Sequence, residues 1–192
     1  MKLATPTHAS FFNRFIGITF IFLISIPSCQ PKAQYETIID PMKGFTANLN
    51  DSVRGAKSMQ DLTCYFFLAL QGKITFEQFK HFIPDSADIA NIYKFTETPL
   101  PADIELKANQ DSVQHSLQTG FFAAQSKAAV LHADWKDATL TRVMIIEIEY
   151  QKLPSKKIVL EANDGKTTLR ASAKCMKIGE QWFIGEDIRY GV

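Results

Sequence analysis

Residues Leu140–Tyr190 read LTRVMIIEIEYQKLPSKKIVLEANDGKTTLRASAKCMKIGEQWFIGEDIRY, and this stretch decides the fold. In Leu140–Gln151 the even positions are Leu140, Arg142, Met144, Ile146, Ile148 and Tyr150, while the odd positions end in Glu147 and Glu149. Alternation of this kind predicts a strand with its even face on a core. Pro154 and Ser155 interrupt the run, and a proline has no N–H to give a ladder, so a turn is expected there. A second strand over Lys157–Ala162 carries Ile158, Leu160 and Ala162 on one face. Asn163-Asp164-Gly165-Lys166 then offers the Asp-Gly pair that suits a tight hairpin turn. The third strand, Thr167–Ile178, shows a row of uncharged, mostly small residues, Leu169, Ala171, Ala173 and Cys175. Gly179-Glu180 turns the chain into a fourth strand, Gln181–Ile188, with Trp182, Ile184 and Ile188 together. Four strands with short connections make an antiparallel meander, which needs a helical layer over its apolar face.

The preceding hundred or so residues supply that layer. Asp51 or Ser52 is placed to cap a helix running to about Gly72, with Met59, Leu62, Phe66 and Ala69/Leu70 as its stripe. Tyr65, Phe67 and Leu68 make its last turns apolar nearly all round, as in a helix buried on more than one side. An exposed partner-binding patch is the alternative reading. Gly72 is a C-cap. Thr75-Phe76-Glu77-Gln78 has the form of a capping box opening a short helix that ends before Pro84. Asp85/Ser86 caps another short helix to about Phe95. Ala102 to about His132 forms the long helix, on which Leu106, Val113, Leu117, Phe121, Ala124, Ala128 and Leu131 recur at helical steps. Gly120 within it marks either a close crossing or a break. The fold class is therefore α+β, with N-terminal helices packed on a C-terminal four-stranded meander.

The N-terminus has a different character. Lys2 and Arg14 precede Phe15–Ile26, an apolar run of twelve residues, suited to a signal peptide and short of the roughly 20 residues of a membrane span. It ends at Ile26-Pro27-Ser28-Cys29, which resembles the bacterial lipobox, with Pro27 departing from its usual pattern. The resemblance implies that residues 1–28 are a lipoprotein signal peptide. Cys29 would then become the first residue of the mature chain and carry lipid, palmitate included, on its thiol and amine. Gln30 at the following position, and the lack of an acidic cluster after it, favour a periplasm-facing location at the cell envelope, outer membrane preferred. Residues 29–47, with Pro31, Pro41 and Gly44 and little periodicity, read as a flexible tether. Residues 48–192 are then a single domain.

The order of elements, the elbow LQGKITFEQFKHFIP and the closing IGEQWFIGEDIRY resemble the nuclear transport factor 2-like (cystatin-like) α+β cone. Gly179, Trp182 and Ile184 match its frequent last-strand pattern. His132-Ala133-Asp134-Trp135 and Trp182 with Asp187-Ile188 look similar to uncharacterised Bacteroidota lipoproteins. The resemblance implies a concave interior and leaves function open, because that fold hosts isomerases, dehydratases, transport factors and binding modules.

Chemistry is sparsely signalled. Net charge is +1, and no basic stripe interleaved with aromatics points to nucleic acid. The four histidines and three cysteines show no metal-ligand spacing, so neither a metal nor an organic cofactor is expected. No nucleophilic triad is apparent. Candidate pocket residues are Arg142, suited to a carboxylate ligand or to extending its stem over the core, and the small row Ala171, Ala173 and Cys175, which leaves room for a ligand or for a close helix. Cys64 and Cys175 form a disulfide or remain buried thiols. Asp51-Ser52-Val53, Asp85-Ser86-Ala87 and Asp111-Ser112-Val113 resemble the Bacteroidota O-glycosylation pattern, and helix capping explains the first two as well. The expected function is non-catalytic binding of a small ligand or an envelope protein by a chain held at the membrane through Cys29. An isomerase or dehydratase using a polar group inside the cone is the alternative.

Overall fold

The structure, a computed structural model, describes residues 35–49, 54–150 and 153–191. The signal segment, the Cys29 lipobox, and the Asp51/Ser52 cap with its Asp51-Ser52-Val53 motif lie outside the described residues. The element order is β1 (Tyr35–Ile39), α1 (Met59–Leu70), α2 (Phe76–Phe79), a 3-10 turn (Lys80–Phe82), α3 (Ser86–Phe95), α4 (Asp103–Val130), β2 (Thr139–Tyr150), β3 (Leu153–Asn163), β4 (Thr168–Ile178) and β5 (Gln181–Tyr190). The fold is α+β. Its sheet is antiparallel in the order β1-β2-β3-β4-β5.

Three expectations about the sheet are corrected. It has five strands, the fifth being β1, which pairs with β2 from Tyr35↔Ile146 to Ile39↔Arg142. YETII lies in the stretch read as tether, and five residues at the sheet's edge carry too little alternation to be seen beside the flanking prolines. The second correction concerns β2. Leu140 pairs with Ala162 and Arg142 with Glu161, so Thr141 is an extra residue. One extra residue exchanges the two faces of everything after it. Leu140 is buried, but beyond the bulge the buried residues are Val143 and Ile145. Arg142, Met144, Ile146 and Ile148 face the other way. Pro154, moreover, already belongs to β3, opposite Glu149, where a missing N–H near the strand's start is tolerated.

The helices follow from local chemistry. Helix α1 begins at Met59, later than the expected start after Asp51 or Ser52, and Ser58 caps it by accepting from the Asp61 N–H. Thr75 and Gln78 form a capping box on α2, and Asp85 and Asp88 form one on α3. Gly72 takes the positive φ of +70° that ends α1. Helix α1 is buried on nearly every side, as its aromatic-rich end predicts. The sheet's inner face, made by Val143, Ile145, Ile158, Leu160, Ala162, Leu169, Ala171, Ala173, Cys175, Ile184 and Ile188, shares one core with α1, α2 and the second half of α4. Aromatic rings fill it: Phe66 stacks near Phe79, and Phe79 near Phe121. Trp135 is buried and donates its indole N–H to the Ala124 carbonyl at 3.3 Å. Helix α4 is continuous, and Gly120 marks a close crossing: a Cβ there would lie 2.8 Å from the Ile188 carbonyl oxygen.

Helix α3 covers part of the outer face instead. Ile92 packs on Leu153, Met176, Ile178 and Phe183, a second small cluster. Arg54 fixes this arrangement. Its guanidinium reaches Asp88 at 2.7 Å, Asp85 at 3.1 Å and the Ile83 carbonyl at 3.1 Å, and it lies over the Phe183 ring. Gly55 beside it has φ +65° and no space for a side chain against Gln181 and Phe183.

Candidate functional site

Where α4 runs past the edge of the sheet it loses its support. Leu117, Phe121, Ala124 and Ala128 are buried, but in the first half only Leu106 is, with Val113 half-covered. The space between this half of α4, α3 and β5 is a cleft of about 600 Å³, within the usual range for a small-molecule site. Its apolar surface comes from Ile89, Ile92, Val113 and Met176; Tyr93, Thr96, Thr98, Asn109, Ser112 and Glu186 add polar groups.

Two bulges in β5 shape this cleft. Cys175 pairs with Ile184 and Lys174 with Glu186, so Gly185 is extra; between Lys174 and Ser172 a further residue is inserted around Asp187, whose φ is +67°. The strand bends at these points. Gly185 gives the Met176 side chain its place, because a Cβ there would collide with the Met176 methyl group. Asn109 Nδ2 lies 3.4 Å from the Tyr93 hydroxyl and links α4 to α3 on the cleft's polar side. Glu186 is the one carboxylate among the described lining residues, and no arginine or lysine lines the cleft with it. The chemistry suits an amphipathic molecule that is neutral or carries a donor or cationic group.

The candidate residues named from sequence do not assemble here. Ala171, Ala173 and Cys175 are fully buried on the inner face beneath the helices. Their small size lets the helical layer sit close. Arg142 lies on the opposite face because of the Thr141 bulge. Its Nε donates to Glu161 Oε2 at 2.7 Å, and Arg170 Nε approaches Glu161 Oε1 at 2.7 Å. The carboxylate that Arg142 holds is thus one from its own sheet. Cys64 and Cys175 are both free and buried. Burial pushes the Cys64 thiol up to about 12, with the Asp61 charge adding to the effect, and burial raises Cys175 as well. Among the described residues no group of three or more His, Cys, Asp or Glu side chains is placed to hold a metal ion, and no helix is long and apolar enough to cross a membrane.

Sequence reasoning missed most of the cleft. Val113 belonged to the core stripe, and Met176 fell on the outer parity of β4. Tyr93 and Gly185 in IGED were signals without a partner until the chain is folded. A second cleft of about 440 Å³ lies at the C-terminal ends of α1 and α4, next to Gln71 and His132. Gln71 donates to the Ala138 carbonyl at 2.8 Å, while its buried Oε1 has no partner. Comparison with protein-family models, with curated proteins and with solved structures finds no match.

Proposed function

We propose that this chain is a lipid-anchored protein of the bacterial cell envelope whose folded part is a non-catalytic binding module. The ligand we infer is a small amphipathic molecule held in the cleft between α3, α4 and β5. The observation that carries this reading is the lining of that cleft: apolar side chains of Ile89, Ile92, Val113 and Met176, with Tyr93, Asn109, Ser112 and Glu186 beside them to orient a polar head. Binding sites for small molecules have this composition, mostly apolar with a few placed polar groups. The finer fold assignment, a cone of the nuclear transport factor 2-like type, is supported by the long helix lying over a bent antiparallel sheet. The isomerase or dehydratase alternative calls for a titratable group inside that cone. The inner face of the sheet is instead occupied by apolar side chains, and the buried carboxylate Glu161 is paired with two arginines on the outer face.

The anchor rests on the sequence of residues 14–29, with its charge, apolar run and Cys29 in that order. Two experiments test the two parts. Cys29→Ala is expected to abolish processing and move the protein out of the membrane fraction; unchanged processing and partition contradict the lipoprotein reading. Val113→Trp is expected to fill the cleft and remove thermal stabilisation by any amphipathic ligand that stabilises the wild type. A ligand that binds both forms equally contradicts the site.

A further inference from the structure

We propose that the part of the sheet's outer face that α3 leaves open, from β1 across to Arg170 and Arg189, lies against an anionic lipid headgroup layer. This rests on the anchored reading above for its orientation and on the structure for its chemistry. Cross-strand register puts Arg142, Lys157, Arg170, Lys174 and Arg189 on one face, away from the core. Two carboxylates on that face, Glu161 and Asp187, lie below the cations, and a third, Glu186, is half-buried opposite Lys174. Glu161 is 8% exposed, while its partners Arg142 and Arg170 are 41% and 46% exposed. Asp187 is 26% exposed between Lys174 at 36% and Arg189 at 68%. The acids hold the charged heads, through Arg142 Nε, Arg170 Nε, Arg189 Nε and Lys174 Nζ. Arg142, Lys157, Arg170, Lys174 and Arg189 outnumber Glu161, Glu186 and Asp187 on this face, which leaves it net cationic.

Apolar groups are interleaved with those cations. Tyr35 and Ile39 of β1 project on the same side, opposite Ile146 and Arg142, and are 67% and 64% exposed. Guanidinium groups that donate in a planar fork, set among aromatic and aliphatic side chains, suit a layer of phosphates above acyl chains. Tether length gives the second, independent argument. Cys29 precedes Tyr35 by six residues (35 − 29), at most about 20 Å of extended chain. An acylated Cys29 therefore holds β1, the edge of this face, close to the bilayer.

The test uses the full chain, purified from a bacterium and reconstituted in vesicles of phosphatidylcholine alone or mixed with phosphatidylglycerol. One dye is attached at Thr37→Cys, exposed on this face, and another at Ser116→Cys, exposed on α4; the two buried thiols stay unlabelled. A headgroup-level quencher is expected to quench the Thr37 dye several-fold more than the Ser116 dye in anionic vesicles. Raised salt, neutral lipid, or the pair Lys157→Gln and Arg189→Gln should each reduce the difference, since exposed charges are screened within a Debye length of about 8 Å at physiological salt. Those two residues leave the Glu161 pairing intact, but Arg189→Gln removes the partner of Asp187, so the circular dichroism spectrum and denaturation midpoint of the variant are measured first to show that it is folded under the assay conditions. Equal quenching of the two dyes, or quenching indifferent to lipid charge, overturns the proposal. Intact mass reports separately whether Cys29 is acylated. If it is not, the anchor reading fails alone, and co-sedimentation of the unlipidated chain decides: salt-sensitive pelleting with anionic vesicles only sustains the docking face, and no selectivity overturns it.

Discussion

Gly120 and Ile188 touch with no room between them: the Cβ that Gly120 lacks would sit 2.8 Å from the Ile188 carbonyl oxygen and 3.1 Å from its Cβ. Backbone cannot yield as a flexible side chain does, so a methyl group here must push α4 off β5. Gly120→Ala is expected to cost about 1–3 kcal/mol despite the better helix propensity of alanine. Thr119→Ala, on the exposed neighbour, should change stability by no more than about 0.5 kcal/mol. Urea denaturation of the two variants checks both numbers. A stabilised Gly120→Ala contradicts the crossing.

Arg54 ties the segment before α1 to the start of α3. It meets Asp85, Asp88 and the Ile83 carbonyl together. About a third of its side chain is exposed, so solvent screens the ion pairs. Arg54→Met is expected to cost on the order of 1–2 kcal/mol and to loosen α3, one wall of the cleft. Amide exchange in Ser86–Phe95 should rise more than in α4. Uniform exchange across both helices would show that α3 is held by other means.

The two thiols provide a check on the core. Cys64 is buried with its thiol directed to the Pro41 carbonyl at 3.3 Å, and Cys175 lies in the small row of β4. With Cys64 pushed up to about 12, its thiolate fraction at pH 8 is on the order of 10⁻⁴. Neither should react with a thiol reagent in the folded protein, and both should react at once in denaturant. Rapid reaction of the native protein would mean that the helical layer does not cover β4.

Acid weakens the Asp164 turn and the β5 bulge at Asp187, which carry the lowered carboxyls. Burial raises Asp187, but hydrogen bonds and charge from Arg189 and Lys174 outweigh it and hold the group below 3.8. Asp164 is held below 3.8 chiefly by the N–H groups of Thr167 and Lys166. A carboxyl with a lowered folded value contributes stability that is complete above its unfolded value and lost as pH falls through the folded one. Denaturation midpoints should therefore be flat above about pH 5 and fall below about pH 4. Asp187→Asn should lower the plateau and flatten the acid slope. An unchanged slope would remove Asp187 from the account.

Much of this fold can be read from local chemistry. The capping boxes at Thr75 and Asp85 and the Asp164-Gly165 turn act within a few residues, and each forms as its sequence dictates; the stripe on α4 is buried from Leu117 to Ala128, while Val113 is half-covered and Leu131, past the helix end, is exposed. What was misread depends on pairing. The alternation of Leu140–Tyr150 points to the even face, but the extra residue at Thr141 is a property of two strands and leaves no mark on one. The same bulge puts Arg142 beside Glu161 on the face away from the core. Strand β1 is short and gains its conformation from β2. The cleft draws on residues 84 to 186, and its shape depends on where α4 outruns the sheet and on two bulges of β5. No window of sequence contains that information.

A small amphipathic molecule is proposed to occupy the cleft between α3, α4 and β5. Native mass spectrometry of the full chain, extracted from membranes in mild detergent, would detect it. The expected result is a non-covalent adduct on the wild type that is released by denaturation and absent from Val113→Trp, with the lipid on Cys29 present in both. An unadducted wild type that gains nothing from added amphipathic ligands, or an adduct equally retained by Val113→Trp, would contradict it.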